Sequence, residues 1–305
     1  VQLLPGHLKG LTDVAFSADG RFVAAGGAGG LVAWDLTRPD AAPARYAERG
    51  TAFLQTLPGG GLLASPPEGL FAYDPAAGTS RSLGLRGGYR GYIHFPRASP
   101  DGKRVVVCGW SSKLRLYDLT EEKAALRWAL THRPRDFPRA EFLPPGDRLL
   151  VLERGSHQAW PVWGHPMWFV VRDAATGQKT GEWSIGPRPK LPDQFVLSPD
   201  GSVLVMGLGA SFEVWDTADA ERPRREVRPG RRCQILGMAF HPSAVVLATV
   251  GNEPVVRFWD ARSWAEVKVF TWDLGKLRGV AFSPDGTRAA AGAVNGRVLV
   301  WDVDL

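Results

Sequence analysis

A short aromatic-Asp pair, or its worn remnant, returns seven times along this chain: Trp34-Asp35, Tyr73-Asp74, Tyr117-Asp118, Arg172-Asp173, Trp215-Asp216, Trp259-Asp260 and Trp301-Asp302. The steps between the Asp residues are 39, 44, 55, 43, 44 and 42. A second phrase runs ahead of the pair, Val14-Ala15-Phe16-Ser17-Ala18-Asp19-Gly20 near the start and Val280-Ala281-Phe282-Ser283-Pro284-Asp285-Gly286 near the end. Self-similarity at such a period means a series of like units, each burying its apolar face against the next. It also resolves a size problem, because 305 residues are more than one hydrophobic core ordinarily serves.

Within a unit the pattern predicts short strands and tight turns. In the last unit Gly279-Val280-Ala281-Phe282 is strand a. Ser283-Pro284-Asp285-Gly286 is the turn, where Pro sets φ and Gly accepts a positive one. Residues 288–293 form strand b, Val294-Asn295-Gly296 a hairpin turn, and Arg297-Val298-Leu299-Val300-Trp301 strand c. An outer strand d follows the Asp, as in Glu266-Val267-Lys268-Val269-Phe270. The chain opens on a d-like strand, Val1-Gln2-Leu3-Leu4, then Gly6-His7, and closes after a strand c. The first strand is therefore expected to complete the last unit and remove an open sheet edge.

These motifs resemble the WD40-repeat family over nearly the whole chain. The first, sixth and seventh units carry the likeness best and the fifth is also clear, whereas the second and fourth rest mainly on spacing. The resemblance implies an all-β fold: a seven-bladed WD40-type β-propeller of four-stranded antiparallel blades, its ring closed by the N-terminal strand. Residues 1–305 then form one propeller domain, which the opening Val leaves free to be one domain of a longer chain. In better-kept WD repeats a Gly-His histidine, a turn Asp, a hydroxyl and the Trp make a polar network. Here only Gly6-His7 matches, while Ala28, Gly209, Glu253 and Asn295 stand at the turn position. Apolar packing between blades is expected to carry the fold instead, so His7→Ala should cost only about 1 kcal/mol.

Composition bounds the function loosely. The 44% apolar share contains no run long enough to span a bilayer, and no charged-then-apolar leader opens the chain, so a cytoplasmic location is expected. Cys108 and Cys233 read as two buried thiols, with a disulfide left open. The net charge of +6 permits an acidic partner without requiring one.

No catalytic residue, cofactor or metal site emerges. His157 and His165 share a loop with Trp160, Trp163 and Trp168, but two histidines near one carboxylate, Glu153, fall short of a metal ligand set. Gly26-Gly27-Ala28-Gly29-Gly30 joins two strands and precedes no helix, so it reads as a hairpin turn rather than a phosphate cradle. Asp101, Asp200 and Asp285 read as turn residues.

The connections between units carry more information. In the WD40 arrangement the d–a and b–c loops share the top face. Seven d–a windows (4–13, 45–52, 84–93, 130–139, 185–194, 226–235 and 271–280) hold 15 basic and 6 acidic residues, against 22 and 25 elsewhere. A face of one sign steers oppositely charged partners. The fourth unit also carries an insertion, about 154–167, rich in Trp, His and Pro. Trp beside Arg is the composition of an interface hot spot, though the loop could equally fold onto a neighbouring blade. Trp110, Trp272, Tyr89 and Tyr92 could extend the aromatic surface. By the family's habit, residues just before strand a touch partners: Lys276 and Arg278 in the last blade, Tyr92 and His94 in the third.

The expected function is a non-catalytic scaffold that binds a protein or acidic peptide segment through this basic, aromatic face. Its candidate contacts are Arg86, Arg90, Tyr92, His94, Arg133, Arg135, Arg139, Trp160, Trp163, Arg188, Lys190, Arg228, Arg231, Arg232, Trp272, Lys276 and Arg278. One alternative is nucleic-acid binding by the same face, for which no motif is present; another is a small-molecule hydrolase at the channel mouth. No membrane partner is expected, and a monomeric propeller is favoured.

Overall fold

The computed structural model describes the chain apart from residues 6–7, 39, 49, 52, 87–92, 109–112, 121–122, 133–138, 155–164, 189–191, 193, 219–224, 231–232 and 305, and the side chains at 94, 154, 165, 166, 187 and 188. The described residues form 28 strands in seven four-stranded sheets and no α-helix, hence no helix long and apolar enough to cross a membrane. The first strand, β1 (Gln2–Leu3), lies outside the serial order of the others. Blade 1 follows with β2 (Leu11–Phe16), β3 (Phe22–Gly27), β4 (Gly30–Asp35) and β5 (Ala44–Ala47), and blade 2 with β6 (Leu54–Thr56), β7 (Leu62–Ala64), β8 (Phe71–Asp74) and β9 (Thr79–Ser82). Blade 3 has β10 (His94–Ala98), β11 (Arg104–Cys108), β12 (Lys113–Leu119) and β13 (Ala124–Thr131); blade 4 has β14 (Arg139–Leu143), β15 (Arg148–Arg154), β16 (His165–Asp173) and β17 (Lys179–Arg188). Blade 5 has β18 (Gln194–Leu197), β19 (Val203–Gly207), β20 (Phe212–Asp216) and β21 (Arg225–Val227); blade 6 has β22 (Ile235–Phe240), β23 (Val246–Gly251), β24 (Val255–Asp260) and β25 (Glu266–Thr271). Blade 7 has β26 (Leu277–Phe282), β27 (Arg288–Ala293) and β28 (Val298–Asp302).

The expected closure is present: β1 pairs antiparallel with β28, Gln2 opposite Val300 and Leu3 opposite Leu299. Leu4 continues it by donating its N–H to the Val298 carbonyl at 2.9 Å. The Trp34 indole N–H then reaches the Pro5 carbonyl at 2.7 Å and ties the closing segment to blade 1.

The recurring turn is built the same way four times. In blade 5 Ser198 Oγ donates to Asp200 Oδ1 at 2.5 Å, and the Asp accepts the Ser202 N–H at 3.1 Å. In blade 7 Ser283 and Asp285 repeat this with Thr287, and blades 1 and 3 use Ser17-Asp19 and Ser99-Asp101. These carboxylates are turn fasteners, and the Ser partner first of all holds Asp200 and Asp285 below the ordinary carboxylate range. The Asp of the aromatic-Asp pair fastens the c–d turn: Asp35, Asp74, Asp173, Asp216 and Asp260 each accept backbone N–H groups two or three residues on.

Both faces of a blade are buried because each is sandwiched between two others, and alternation decides which seam a side chain fills. In β15 Leu149 and Val151 pack toward blade 3, Leu150 and Leu152 toward blade 5. In β27 Ala289, Ala291 and Ala293 face blade 6, and Ala290 faces blade 1. Seven apolar clusters result, one per seam. The eroded second and fourth units are complete blades all the same. Cys108 and Cys233 are buried free thiols, and burial pushes Cys108 up to about 12.

The polar network is reduced, as expected, but not lost. Blade 6 keeps one link, Trp259 Nε1–H to Thr249 Oγ1 at 2.9 Å. In blade 5 Trp215 donates to Glu213 at 3.2 Å instead, while the buried Trp301 Nε1 has no hydrogen-bond partner among the described residues. His7 lies outside the described residues.

Candidate interaction site at the channel mouth

Antiparallel order sends the d–a and b–c connections to one side of the ring, and the first strand of each blade lines the centre. Neighbouring first strands touch, β2 against β6 and β26, β22 against β18 and β26, and β14 against β10 and β18. A cavity of about 410 Å³ lies between them, lined from all seven blades.

Its lining follows a simple register. The residue beginning each a–b turn is Ser17, Leu57, Ser99, Leu143, Ser198, His241 or Ser283. Four residues earlier stand Asp13, Phe53, Phe95, Arg139, Gln194, Gly237 and Gly279, all on the cavity wall. Two residues earlier, blades 3 to 5 contribute Arg97, Glu141 and Val196. Inward positions recur at a spacing of two because strand side chains alternate. Gly237 and Gly279 are glycine for lack of room: an added Cβ would lie 2.5 Å from the Arg278 carbonyl oxygen and 2.9 Å from the Val14 nitrogen respectively.

Blades 1, 6 and 7 carry a bulge just above this layer, between Leu11 and Asp13, Ile235 and Gly237, and Leu277 and Gly279. A bulge adds one residue and re-aims its side chain. The extra residues are Thr12, Leu236 and Arg278. Thr12 spends its hydroxyl on the Gly26 and Thr51 carbonyls, both at 3.1 Å. Arg278 is exposed, lines the cavity, and has no hydrogen-bonding or ion-pairing partner for its side chain among the described residues.

Among the described residues, three guanidinium groups and two carboxylates thus line the cavity. Arg97 lies 4.5 Å over the Phe53 ring and donates through Nε to Glu141. Arg139 lies 4.2 Å over the Phe95 ring. Stacking fixes the guanidinium planes and leaves their edges for hydrogen bonds. The Asp13 oxygens accept the Val14 N–H at 3.0 Å and the Leu54 N–H at 3.3 Å. Burial still pushes Asp13 up to about 6, against the pull of Arg97, those two amides and Arg278. Burial likewise raises Glu141 despite its Arg97 partner. The Arg278 guanidinium suits a carboxylate or phosphate, which Arg can grip with paired hydrogen bonds.

The predicted contact residues divide accordingly. Arg139 and Arg278 come together at the channel, but within strands β14 and β26 rather than in the loops before them. His94 likewise begins β10, and Arg188 ends β17. Arg86 and Lys276 are exposed on d–a connections, and Arg228 pairs with Glu226 at 3.0 Å. Trp272 is no free surface aromatic: half-buried, it stacks on Phe270 at 5.3 Å and meets Trp301 at 4.8 Å. Arg90, Tyr92, Arg133, Arg135, Trp160, Trp163, Lys190, Arg231 and Arg232 lie outside the described residues, as do Tyr89 and Trp110. The insertion is shorter than expected, because Arg154 belongs to β15 and His165, Pro166 and Met167 to β16. Arg97, Glu141, Gln194, Phe53 and Phe95 were missed; reading two fixed register positions, four and two residues before the turn, through the units would have found them.

Glu153, the carboxylate nearest the histidine pair in sequence, is already engaged. Arg172 binds it at 2.8 Å and His132 at 3.3 Å, and although burial opposes ionisation these partners hold it below the ordinary range. Arg172 replaces the usual aromatic residue and finds its partner within the blade. Among the described residues no group of three or more His, Cys, Asp or Glu converges as a metal site.

The family model described as WD domain, G-beta repeat, matches residues 1–35 and 265–302. Among similar proteins, periodic tryptophan protein 2 of Arabidopsis thaliana is 30% identical over 115 residues, 36% of this chain and 13% of that protein. The WD repeat-containing protein VIP3 of the same plant is 32% identical over 85 residues, 23% of this chain and 26% of its own length. The matches therefore span a minor part of these relatives. The solved β-propeller domain of Myceliophteria thermophila Cps50 (Swd1) superposes with a TM-score of 0.77 at 16% identity, covering 100% of this chain and 99% of that one. With the repeat signature at both ends of the ring and the same four-stranded blade seven times over, the chain carries WD40 repeats and folds as a seven-bladed WD40-type β-propeller.

Proposed function

We propose that this chain is a non-catalytic interaction module of the cytoplasm, one propeller over residues 1–305, that docks an acidic protein segment on its top face and channel mouth. The observation that carries this reading is the channel register: Arg97, Arg139 and Arg278 gather around one cavity beneath the connections that hold the basic excess. Rigid strands preorganise these groups, so little ordering opposes binding. That the similar protein VIP3 is itself a WD repeat-containing protein is consistent with a scaffold role.

The test is affinity capture from the source cell's lysate by the whole chain, compared with Arg139→Glu and Arg278→Glu, and with Trp163→Ala in the insertion. A protein kept by the wild type and lost by the arginine variants supports the reading. Equal capture by all of them moves docking off the channel mouth. Capture of nuclease-sensitive material, falling steeply with salt, replaces the acidic segment by nucleic acid.

A further inference from the structure

Resting on the top-face reading above, we propose that the channel mouth receives a single glutamate or aspartate carboxylate of the partner segment, gripped by Arg278, and that Asp13 takes up a proton from solvent as it enters. The three guanidinium groups are not equivalent. Arg97 is engaged by Glu141 and the Phe53 face, and Arg139 lies on Phe95. Arg278, at the bulge of β26, has no hydrogen-bonding partner for its side chain among the described residues, which leaves its donors for an incoming group.

Asp13 sits beside it on the neighbouring strand. A Cβ on Gly279 would lie 3.2 Å from the Asp13 carbonyl carbon, so β26 and β2 touch at this level. Among the described residues, the charged groups around Asp13 are Arg278 from β26 and Arg97 from β10, with Arg139 and Glu141 from β14 on the same cavity wall; β6 offers the Leu54 amide. A second carboxylate on Arg278 therefore enters next to an existing one. A like charge brought close to a carboxylate favours its protonated form, and the two carboxyl groups can then share a proton. Asp13 is disposed to hold it, since burial already brings its titration up to about 6.

The whole chain is titrated calorimetrically with a blocked Gly-Glu-Glu-Gly peptide and with its Gln counterpart. Titrations are run at about pH 5.5 and about pH 7.5, in two buffers of different ionisation enthalpy. The expected result is binding of the Glu peptide alone, with affinity falling on the order of tenfold per pH unit above about 6, and with proton uptake small at about pH 5.5 and approaching one at about pH 7.5. Arg278→Gln should weaken binding at least about tenfold at both pH values, the scale of one charge-assisted pair. Asp13→Asn should abolish the pH dependence and Glu141→Gln should keep it. Wild-type binding without proton uptake, unaltered binding by Arg278→Gln, or a pH dependence that survives in Asp13→Asn or vanishes in Glu141→Gln overturns the proposal. The wild-type proton count needs no variant and stands if Asp13→Asn fails to fold. If the Glu peptide fails to bind while lysate capture still depends on Arg278, the carboxylate site falls and top-face docking remains. Proton-linked peptide binding without any captured protein leaves the site and removes the partner reading.

Discussion

Ala244 occupies, at φ 61°, the left-handed turn position that Gly20, Gly102, Gly201 and Gly286 fill in four other blades. A Cβ in that region costs about 1–2 kcal/mol, partly offset by the chain entropy that Gly would add to the unfolded state. Ala244→Gly should therefore stabilise the fold by up to about 1 kcal/mol, read as a higher urea midpoint at unchanged slope. Asp13 makes a second prediction. Its folded value of about 6 exceeds the usual 3.8, so the unfolded chain gives up this proton first as pH rises. Stability from this group is full below about pH 4 and is lost as pH climbs through about 6, by about 3 kcal/mol at most. Asp200 and Asp285 act oppositely and lose stability only as pH falls below their ordinary range. Comparing unfolding of wild type and Asp13→Asn between about pH 4.5 and 6.5 isolates the slope, which the Asn variant should lack. Ser-x-Asp-Gly was legible because its bonds are local. Asp13 was visible only as one acidic residue in a basic window, since Leu54, Arg97 and Arg278, which surround it, come from other blades.

The closing strand is short, yet three separate bonds hold the segment: the β1–β28 pairing, the Leu4 N–H and the Trp34 indole. Leu4 is 3% exposed within the blade 1–7 seam. Deleting residues 1–5 should cost at least about 2 kcal/mol from Leu4 alone and leave β28 as an open edge. Scanning calorimetry should show a lower Tm, and size exclusion should show concentration-dependent association. A truncated chain that stays monomeric with an unchanged Tm would contradict this role. The closure was legible because a lone strand at one end and a blade short of one at the other are complementary. The b–c connection of blade 4 was less so. Polar Arg154 and His165 read as loop, whereas Arg154 pairs with Met167 across β15 and β16 and His165 with Arg188 across β16 and β17, because a strand end needs backbone partners rather than apolar side chains. Trp272 was misplaced for a related reason: nothing local announces that Phe270 and Trp301 lie beneath it.

In the molecule as a whole, stability resides in seams between blades rather than in blades alone. That explains why the second and fourth units could lose their motifs and keep their shape, and why spacing was the better guide to them. It also makes sequence neighbours energetically remote. Leu149 and Leu150 are both fully buried, but Leu149 fills the blade 3–4 seam and Leu150 the blade 4–5 seam, which it shares with Leu204. Each Leu→Ala change should cost about 2–5 kcal/mol through lost burial and a residual cavity. Double-mutant cycles in denaturant then separate two pictures of the ring. If seams are the cooperative units, Leu150→Ala with Leu204→Ala should couple by about 0.5–3 kcal/mol, although the residues are far apart in sequence. Leu149→Ala with Leu150→Ala should add to within about 0.5 kcal/mol although they are adjacent. The reverse pattern would place the unit of stability in the blade. Under the seam picture the channel inherits its rigidity from all seven junctions, so losing Leu150 should weaken an acidic ligand only as far as it lowers the folded fraction.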